Sequence, residues 1–308
     1  MPELPEVEVV RAGLSPAVTG AIVLGVSVWD ERALTRHPGD SAHFEAALSG
    51  RGILGAARRG KFLWLPLDGG TEALVGHLGM SGQMLLRAPD APTERHERVR
   101  IMIAHPVHGE LSVAFADQRT FGSLAIDALV PTPDARPGGW GTDAASTPAQ
   151  VAHIARDPLD PAFSEAGFRA QLARRGSGIK RVLLDQTVAS GIGNIYADEA
   201  LWAARLHPET PADALSTRSA NRLLAEVRAV LHKALAEGGT SFDAQYVNVN
   251  GQAGYFAHSL NAYSRTGEPC PRCGGPIQRM AFMNRSSHLC PRCQRRRESR
   301  GTGAAQRI

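Results

Sequence analysis

The sequence predicts an α+β protein of several domains. An N-terminal β-sandwich with flanking helices is followed by a helical domain and then by a metal-bound β-hairpin. Three observations predict this. Short β-branched and aromatic runs recur between Gly, Pro and charged turns from Gly20 to Phe115. Apolar spacing turns helical after a stretch rich in Pro, Gly, Ala, Asp and Thr at 131–148. All four cysteines lie beyond residue 269. A chain of 308 residues is long enough for two or three domains with sizeable cores.

Taken in order, Met1-Pro2-Glu3-Leu4-Pro5-Glu6-Val7-Glu8 is acidic and proline-rich, unlike a secretory signal. Pro5 suits the first position of a helix, with Glu6 and Glu8 in its positive-dipole turn. Val7, Val10, Arg11 and Leu14 continue it at helical spacing. Strands are expected at 22–24, 26–29, 53–54, 62–65, 73–75, 84–86, 99–103 and 111–115, with a helix at 43–48. Together these make a first domain over 2–130, and 131–150 reads as a linker. Helices are expected over 163–174, 180–185, 194–204 and 216–237. The last has a broad apolar face, from Leu223 to Leu235, and ends at Gly238-Gly239. Residues 240–259 are polar and Gly/Asn-rich and read as a mobile loop. The second domain therefore spans 151–258, the hairpin 259–294 and a basic, disordered tail 295–308. There is no internal repeat and no apolar run long enough to cross a bilayer.

The net charge of +4 hides an asymmetry. From Leu260 to Ile308 there are ten Arg and two Glu, a net +8, so the rest sums to −4. A basic C-terminal segment points to an anionic polymer as partner. A merely solvated Arg-rich tail accounts for 294–308, but less well for Arg residues interleaved with cysteines.

Cys270-Pro-Arg-Cys273 and Cys290-Pro-Arg-Cys293, sixteen residues apart, are two metal knuckles. Four thiolates at this spacing enclose one zinc ion, with no open position for catalysis. A redox pair would not need two matched knuckles. His288 stands too close to Cys290 to replace a cysteine as ligand. Between the knuckles, Asn284-Arg285 at a hairpin tip would thrust a guanidinium outward, suited to forking a phosphate. A solvated arginine is the plain alternative.

Other signals are weaker singly. Removal of Met1 next to a small residue would leave Pro2 as a secondary amine beside the Glu3 carboxylate, pairing a nucleophile with an acid/base. Gly191-Ile-Gly193-Asn194-Ile-Tyr196 is a glycine turn opening a helix, whose free amides suit an anion. Ordinary turn geometry explains it equally well. Arg58-Arg59-Gly60-Lys61, His77-Leu-Gly-Met80-Ser-Gly82 and Asp117-Gln-Arg119-Thr-Phe121-Gly122 put cations or large apolar groups beside glycines at strand ends. Core packing is the default for Met80 and Phe121, and a solvated strand edge for Lys61.

Together these residues resemble the bacterial formamidopyrimidine-DNA glycosylase family, from Pro2 to about Cys293. Leu4 favours this branch over the endonuclease VIII branch. The resemblance implies a β-sandwich, a helix-two-turn-helix domain and a zinc hairpin, with damaged double-stranded DNA crossing the cleft of a monomer. It implies a bacterial, cytoplasmic, nucleoid-associated enzyme of base excision repair that excises 8-oxoguanine and formamidopyrimidines. Pro2 would attack C1′ of a flipped nucleotide, Glu3 would be the acid/base, and Glu6 would support it. Strand cleavage by β- and δ-elimination would follow. Lys61, Asn194 and Arg285 would grip phosphates, with Lys61 and Arg285 as proton donors in the eliminations. His96, Arg175 and Lys180 match further DNA contacts. Met80, Arg119 and Phe121 match the residues that fill the gap left by the flipped base. The loop at about 240–258 matches the one that closes over it.

The chain departs from the family pattern at Arg98, where a second His is frequent, and at Thr120, where an Arg is. The segment near Trp140 is longer, and the tail is extra. These departures put individual phosphate contacts on the N-terminal lobe in doubt. A non-catalytic damage-binding protein and an oxidised-pyrimidine glycosylase are the alternative readings.

Overall fold

The computed structural model describes residues 2–240, 249 and 254–296. Most of the loop expected at about 240–258 and nearly all of the tail at 295–308 lie outside these residues.

The chain opens with α1 (Leu4–Val18). Pro5 needs no backbone partner in the first turn, and the Glu6 carboxylate accepts from Glu3 N at 2.8 Å. Two four- or five-stranded sheets follow. Strands β1 (Ile22–Val28), then α2 (Ser41–Leu48), β2 (Ala57–Arg59), β3 (Phe62–Pro66), β4 (Glu72–His77), β5 (Gly82–Arg87), β6 (Glu97–His105), β7 (Gly109–Asp117), β8 (Ser123–Pro131) and β9 (Ser146–Pro148) complete them. The orders are β1-β6-β7-β5 and β2-β3-β4-β8-β9, and every strand pair in them is antiparallel. Alternation sets the faces. Val99, Ile101 and Ile103 point inward from β6 and meet Leu63, Leu65 and Leu74 of the other sheet. Val7, Val10 and Leu14 of α1 pack into this sandwich core.

Leu4, three residues earlier, belongs instead to the core of the helical lobe. That lobe holds α3 (Glu165–Ala173), α4 (Ile179–Leu183), α5 (Asn194–Ala203) and α6 (Thr217–Ala236). Leu223, Leu224, Val227 and Leu231 of α6 are its central stripe. The first turn of α1 is thus pinned between two cores. The hairpin β10 (Gln278–Phe282) and β11 (Arg285–Leu289) follows, with its own small cluster of Cys270, Ile277, Cys290 and Trp202. No helix among the described residues is long and apolar enough to cross a membrane.

The structure differs from the sequence reading in places. The two runs at 22–29 are one strand with a register shift near Gly25. Residues 53–54 form only an isolated bridge, Ile53 with Leu67. The stretch read as a linker at 131–150 is part of the sandwich. Its β9 pairs with β8, and Trp140 and Arg58 exchange backbone bonds of 2.9 and 2.8 Å. Its prolines and glycines serve turns between hydrogen-bonded segments, which composition does not distinguish from a free linker.

Arg58 ties the lobes together. Its guanidinium is buried and donates to Glu8 Oε2 of α1 at 2.8 Å and to Asp157 Oδ2, on the approach to the helical lobe, at 2.9 Å. Arg58→Ala leaves two carboxylates buried without that partner. It should cost about 3–5 kcal/mol in denaturant unfolding. A loss below about 1 kcal/mol would show that the network contributes little.

Candidate active site

The first residues of the chain meet the helical lobe through Glu3, Leu4 and Glu6, with Glu3 at the centre. Glu3 is buried, and its carboxylate accepts from Gly193 N at 2.7 Å, Ile195 N at 3.0 Å and Tyr196 N at 3.4 Å. These are the orphan amides and positive end of α5. The glycine turn therefore does hold an anion, but the anion is Glu3 and not an external phosphate. A Cβ on Gly193 would lie 2.2 Å from Glu3 Cδ, so only glycine admits this approach. Leu4 N also donates to Gly191 O at 3.0 Å. Pro2, the residue before, is buried.

Glu6 supports the same turn. Besides Glu3 N, it accepts from Thr240 N at 2.7 Å and from the Tyr196 hydroxyl. Burial and the neighbouring Glu6 and Glu3 push the Tyr196 hydroxyl well above the ordinary tyrosine range, so it stays a donor.

Electrostatics converge on Glu3. Burial raises its pKa above the usual carboxylate value, against the pull of Lys61, while Glu6 adds to the rise and backbone amides oppose it. Lys61, read as a possible strand-edge lysine, sits in this environment. Burial lowers its pKa, Glu3 opposes that, and Arg285 adds to it. Carboxylate and ammonium are each displaced toward the neutral form, as in sites that move protons.

A cleft of about 750 Å³ opens beside Glu3 and is also lined by Met80, Arg119, Asn194, Ile195 and Arg285. A cavity of equal volume beside Trp64 and Trp140 contains none of the candidate residues. Met80 and Phe121 are exposed at 40% and 57%, which removes core packing as their explanation. The Arg119 guanidinium lies 4.9 Å from the Phe121 ring centroid.

Asp117, quoted in the motif but given no role, holds this loop. Its carboxylate accepts from Arg119 N at 3.1 Å, Phe121 N at 2.9 Å, Gly122 N at 2.7 Å and Ser81 Oγ at 2.5 Å. These bonds hold Thr120 at φ +54°, strained for a β-branched residue. Gly79 presses on the same loop, where a Cβ would come within 2.4 Å of Phe121 and Gly122 backbone.

The remaining candidates scatter. His96 lies apart, with Ser81 and Asp117, in a depression of about 190 Å³. Half-buried Arg175 faces Met283 of the hairpin turn and pairs with Asp185 at 3.6 Å. Lys180 differs from expectation: it has no exposed surface, and its ammonium lies 2.7 Å from Asp198 Oδ1. A DNA backbone does not reach it in this arrangement. Arg98 is an internal strut that donates to Asp30 Oδ2 at 3.0 Å and Asp117 O at 2.9 Å. Sequence reading also missed Arg279, which lines the cleft and donates to Ser286 Oγ at 2.7 Å.

The four cysteine sulfurs lie within 4.8 Å of one another. Tetrahedral zinc with Zn–S bonds near 2.3 Å requires sulfurs about 3.8 Å apart, so the set fits one structural zinc. The Trp202 indole N–H donates to Cys270 Sγ at 3.3 Å.

Residues 1–124 match the formamidopyrimidine-DNA glycosylase N-terminal domain, 154–245 the H2TH domain of the same glycosylases, and 267–296 the zinc finger found in FPG and IleRS. A formamidopyrimidine-DNA glycosylase of Leifsonia xyli subsp. xyli is 65% identical over 296 residues, 96% of this chain and all of that one. One of Salinispora arenicola is 56% identical, covering 96% and 97%.

The chain belongs to the formamidopyrimidine-DNA glycosylase family.

Solved structures agree. A Lactococcus lactis Fpg complex with abasic-site DNA superposes with TM-score 0.79 at 32% identity, covering 96% of this chain and 100% of that one. A complex of the same protein with Fapy-dG DNA gives 0.79 and 32% with the same coverage. Arg98 and Thr120 fall on the strut and the strained loop described above.

His77 offers a test of the site's electrostatics. Burial, then Arg36 and Lys61, lower its pKa to about 4, and its Nδ1 accepts from Gly79 N at 3.2 Å. The folded state therefore binds this proton less readily than the unfolded chain. The stability His77 contributes is complete above its ordinary 6.5 and is lost as pH falls from there toward about 4. An NMR titration should place the His77 midpoint near 4. A midpoint at its ordinary value would contradict the buried, cation-flanked environment.

Proposed function

We propose that this chain is a bifunctional DNA glycosylase/AP lyase of base excision repair. It excises 8-oxoguanine and formamidopyrimidines, with Pro2 as the nucleophile. The observation that carries the reading is Glu3, seated on the start of α5 and lining one cleft with Asn194, Arg285, Met80 and Arg119. The Lactococcus lactis complexes hold abasic-site and Fapy-dG DNA, and we carry that ligand class to this cleft.

The damaged nucleotide leaves the stack because C1′ is unreachable inside a duplex. The secondary amine of Pro2, freed by loss of Met1, attacks C1′ as the base departs with a proton. An α-amine of ordinary pKa about 7.7–8.0 is partly neutral near pH 7. Glu3, raised by burial, supplies the proton that opens the sugar ring. The resulting iminium draws electrons from the sugar, so loss of a C2′ proton expels the 3′ phosphate. A second elimination expels the 5′ phosphate. Lys61 and Arg285 neutralise and protonate the departing groups, and Asn194 holds the backbone. Met80, Arg119 and Phe121 occupy the emptied stack, with Arg119 facing the orphaned base. His96 and Arg175 contact phosphates further out.

We assign the chemistry to residues 2–130, DNA grip to 151–258, and the cation-bearing hairpin to 259–294, with action at the nucleoid of a bacterial cytoplasm. A zinc ion held by Cys270, Cys273, Cys290 and Cys293 would supply no chemistry and would fix the base of the hairpin.

Borohydride should trap a covalent adduct between Met1-processed protein and an 8-oxoguanine duplex, and Pro2→Gly should greatly reduce it. Absence of an adduct with processed protein would refute the assignment. Chelation of zinc should abolish DNA binding while the sandwich keeps its circular-dichroism signal. Unchanged affinity after zinc loss would remove the hairpin from the DNA site.

A further inference from the structure

Zinc holds the hairpin at its base, but Arg285 stands at its turn. Arg285 and Cys290 are five positions apart along the strand, about 16 Å at the usual rise. An isolated two-stranded hairpin is marginal in water, so the turn needs its own anchor. Three side chains of the helical lobe converge there. Lys180 Nζ donates to Ser286 O at 3.1 Å and Ser287 Oγ at 2.8 Å, and lies 4.6 Å from the Phe282 ring centroid. Asn194 Nδ2 donates to Ser286 O at 3.1 Å. Asp198 Oδ2 accepts from His288 N at 2.8 Å, while its Oδ1 lies 2.7 Å from the Lys180 ammonium.

Asn194 and Asp198 are four residues apart on α5 and share a face. Both members of the ion pair are buried, at 0% and 1% exposure. Remove the carboxylate and Lys180 becomes a buried cation without its counter-charge, a state that costs several kcal/mol unless the surroundings move. What would move first is the segment Lys180 holds, residues 286–287, directly after Arg285.

We infer that Asp198 is a positioning residue: by neutralising Lys180 and binding the His288 backbone, it fixes the hairpin turn so that Arg285 faces the active-site cleft. The inference rests on the reading of Arg285 as an active-site cation. Asp198 is buried and does not line the cleft. The next residue, Glu199, serves a different connection by accepting from the backbone amides of Asn261, Ala262 and Tyr263 at 2.8–2.9 Å.

The test is single-turnover cleavage of an abasic-site duplex by zinc-loaded, full-length protein carrying Asp198→Asn, Arg285→Ala, both together, or Asp198→Asn with Lys180→Met. Misplacing a reacting group by about 1 Å can cost about 100-fold. Asp198→Asn should therefore slow cleavage about 10- to 100-fold while keeping its zinc. In the Arg285→Ala background it should add nothing further. Pairing it with Lys180→Met should not restore the rate, because the bonds from Lys180 to Ser286 and Ser287 are lost together with the charge. Wild-type cleavage by Asp198→Asn, loss of its zinc, or multiplicative losses with Arg285→Ala would each overturn the inference. Wild-type cleavage by Arg285→Ala would overturn the reading of Arg285 and the inference with it, so the two failures are distinguishable.

Discussion

The Glu3 carboxylate on the first amides of α5 is the contact on which the arrangement depends. It joins the third residue of the chain to residues 193–196, and so fixes the terminus against the lobe that carries Asn194 and docks the hairpin. Charged hydrogen bonds of this kind contribute about 1.5–3 kcal/mol each, reinforced by the helix dipole. Burial works against them, which is why Glu3 is raised and not depressed despite its amide donors. The carboxylate is thereby both an anchor and a group able to carry a proton.

The same desolvation shapes its neighbours. Burial moves Lys61 down while it moves Glu3 up. Arg285 and Arg119 line the cleft with guanidinium groups, whose planar forks suit anionic partners. Farther out, buried ion pairs act as joints between parts: Arg58 with Glu8 and Asp157 between the lobes, Lys180 with Asp198 between helical lobe and hairpin. Each joint leaves a penalty if one partner is lost, which favours one relative placement of the parts.

Much of this was legible in the sequence. The four-cysteine spacing, the 3.6-residue period of α6 and the alternation of β6 are local signals, and local signals survive without a structure. What escaped depends on who meets whom. The glycine turn at 191–193 was readable as an anion site, but nothing local says that the anion is Glu3, about 190 residues away. Lys180 resembles a DNA contact, yet its partner Asp198 lies one helix on and buries it. Trp140 and β9 sit in a stretch whose composition suggests a linker, and only pairing with Arg58 and β8 reveals their place. Arg98 looked like a lost phosphate contact and is instead a strut to Asp30.

The most direct test of the central contact is hydrogen exchange at the amides of Gly193 and Ile195, compared between wild-type protein and Glu3→Ala. If the Glu3 carboxylate caps α5, protection at these amides should fall sharply in Glu3→Ala while the interior of α6 keeps its own. Equal protection at Gly193 and Ile195 in both proteins would contradict the contact from which the rest of the site is built.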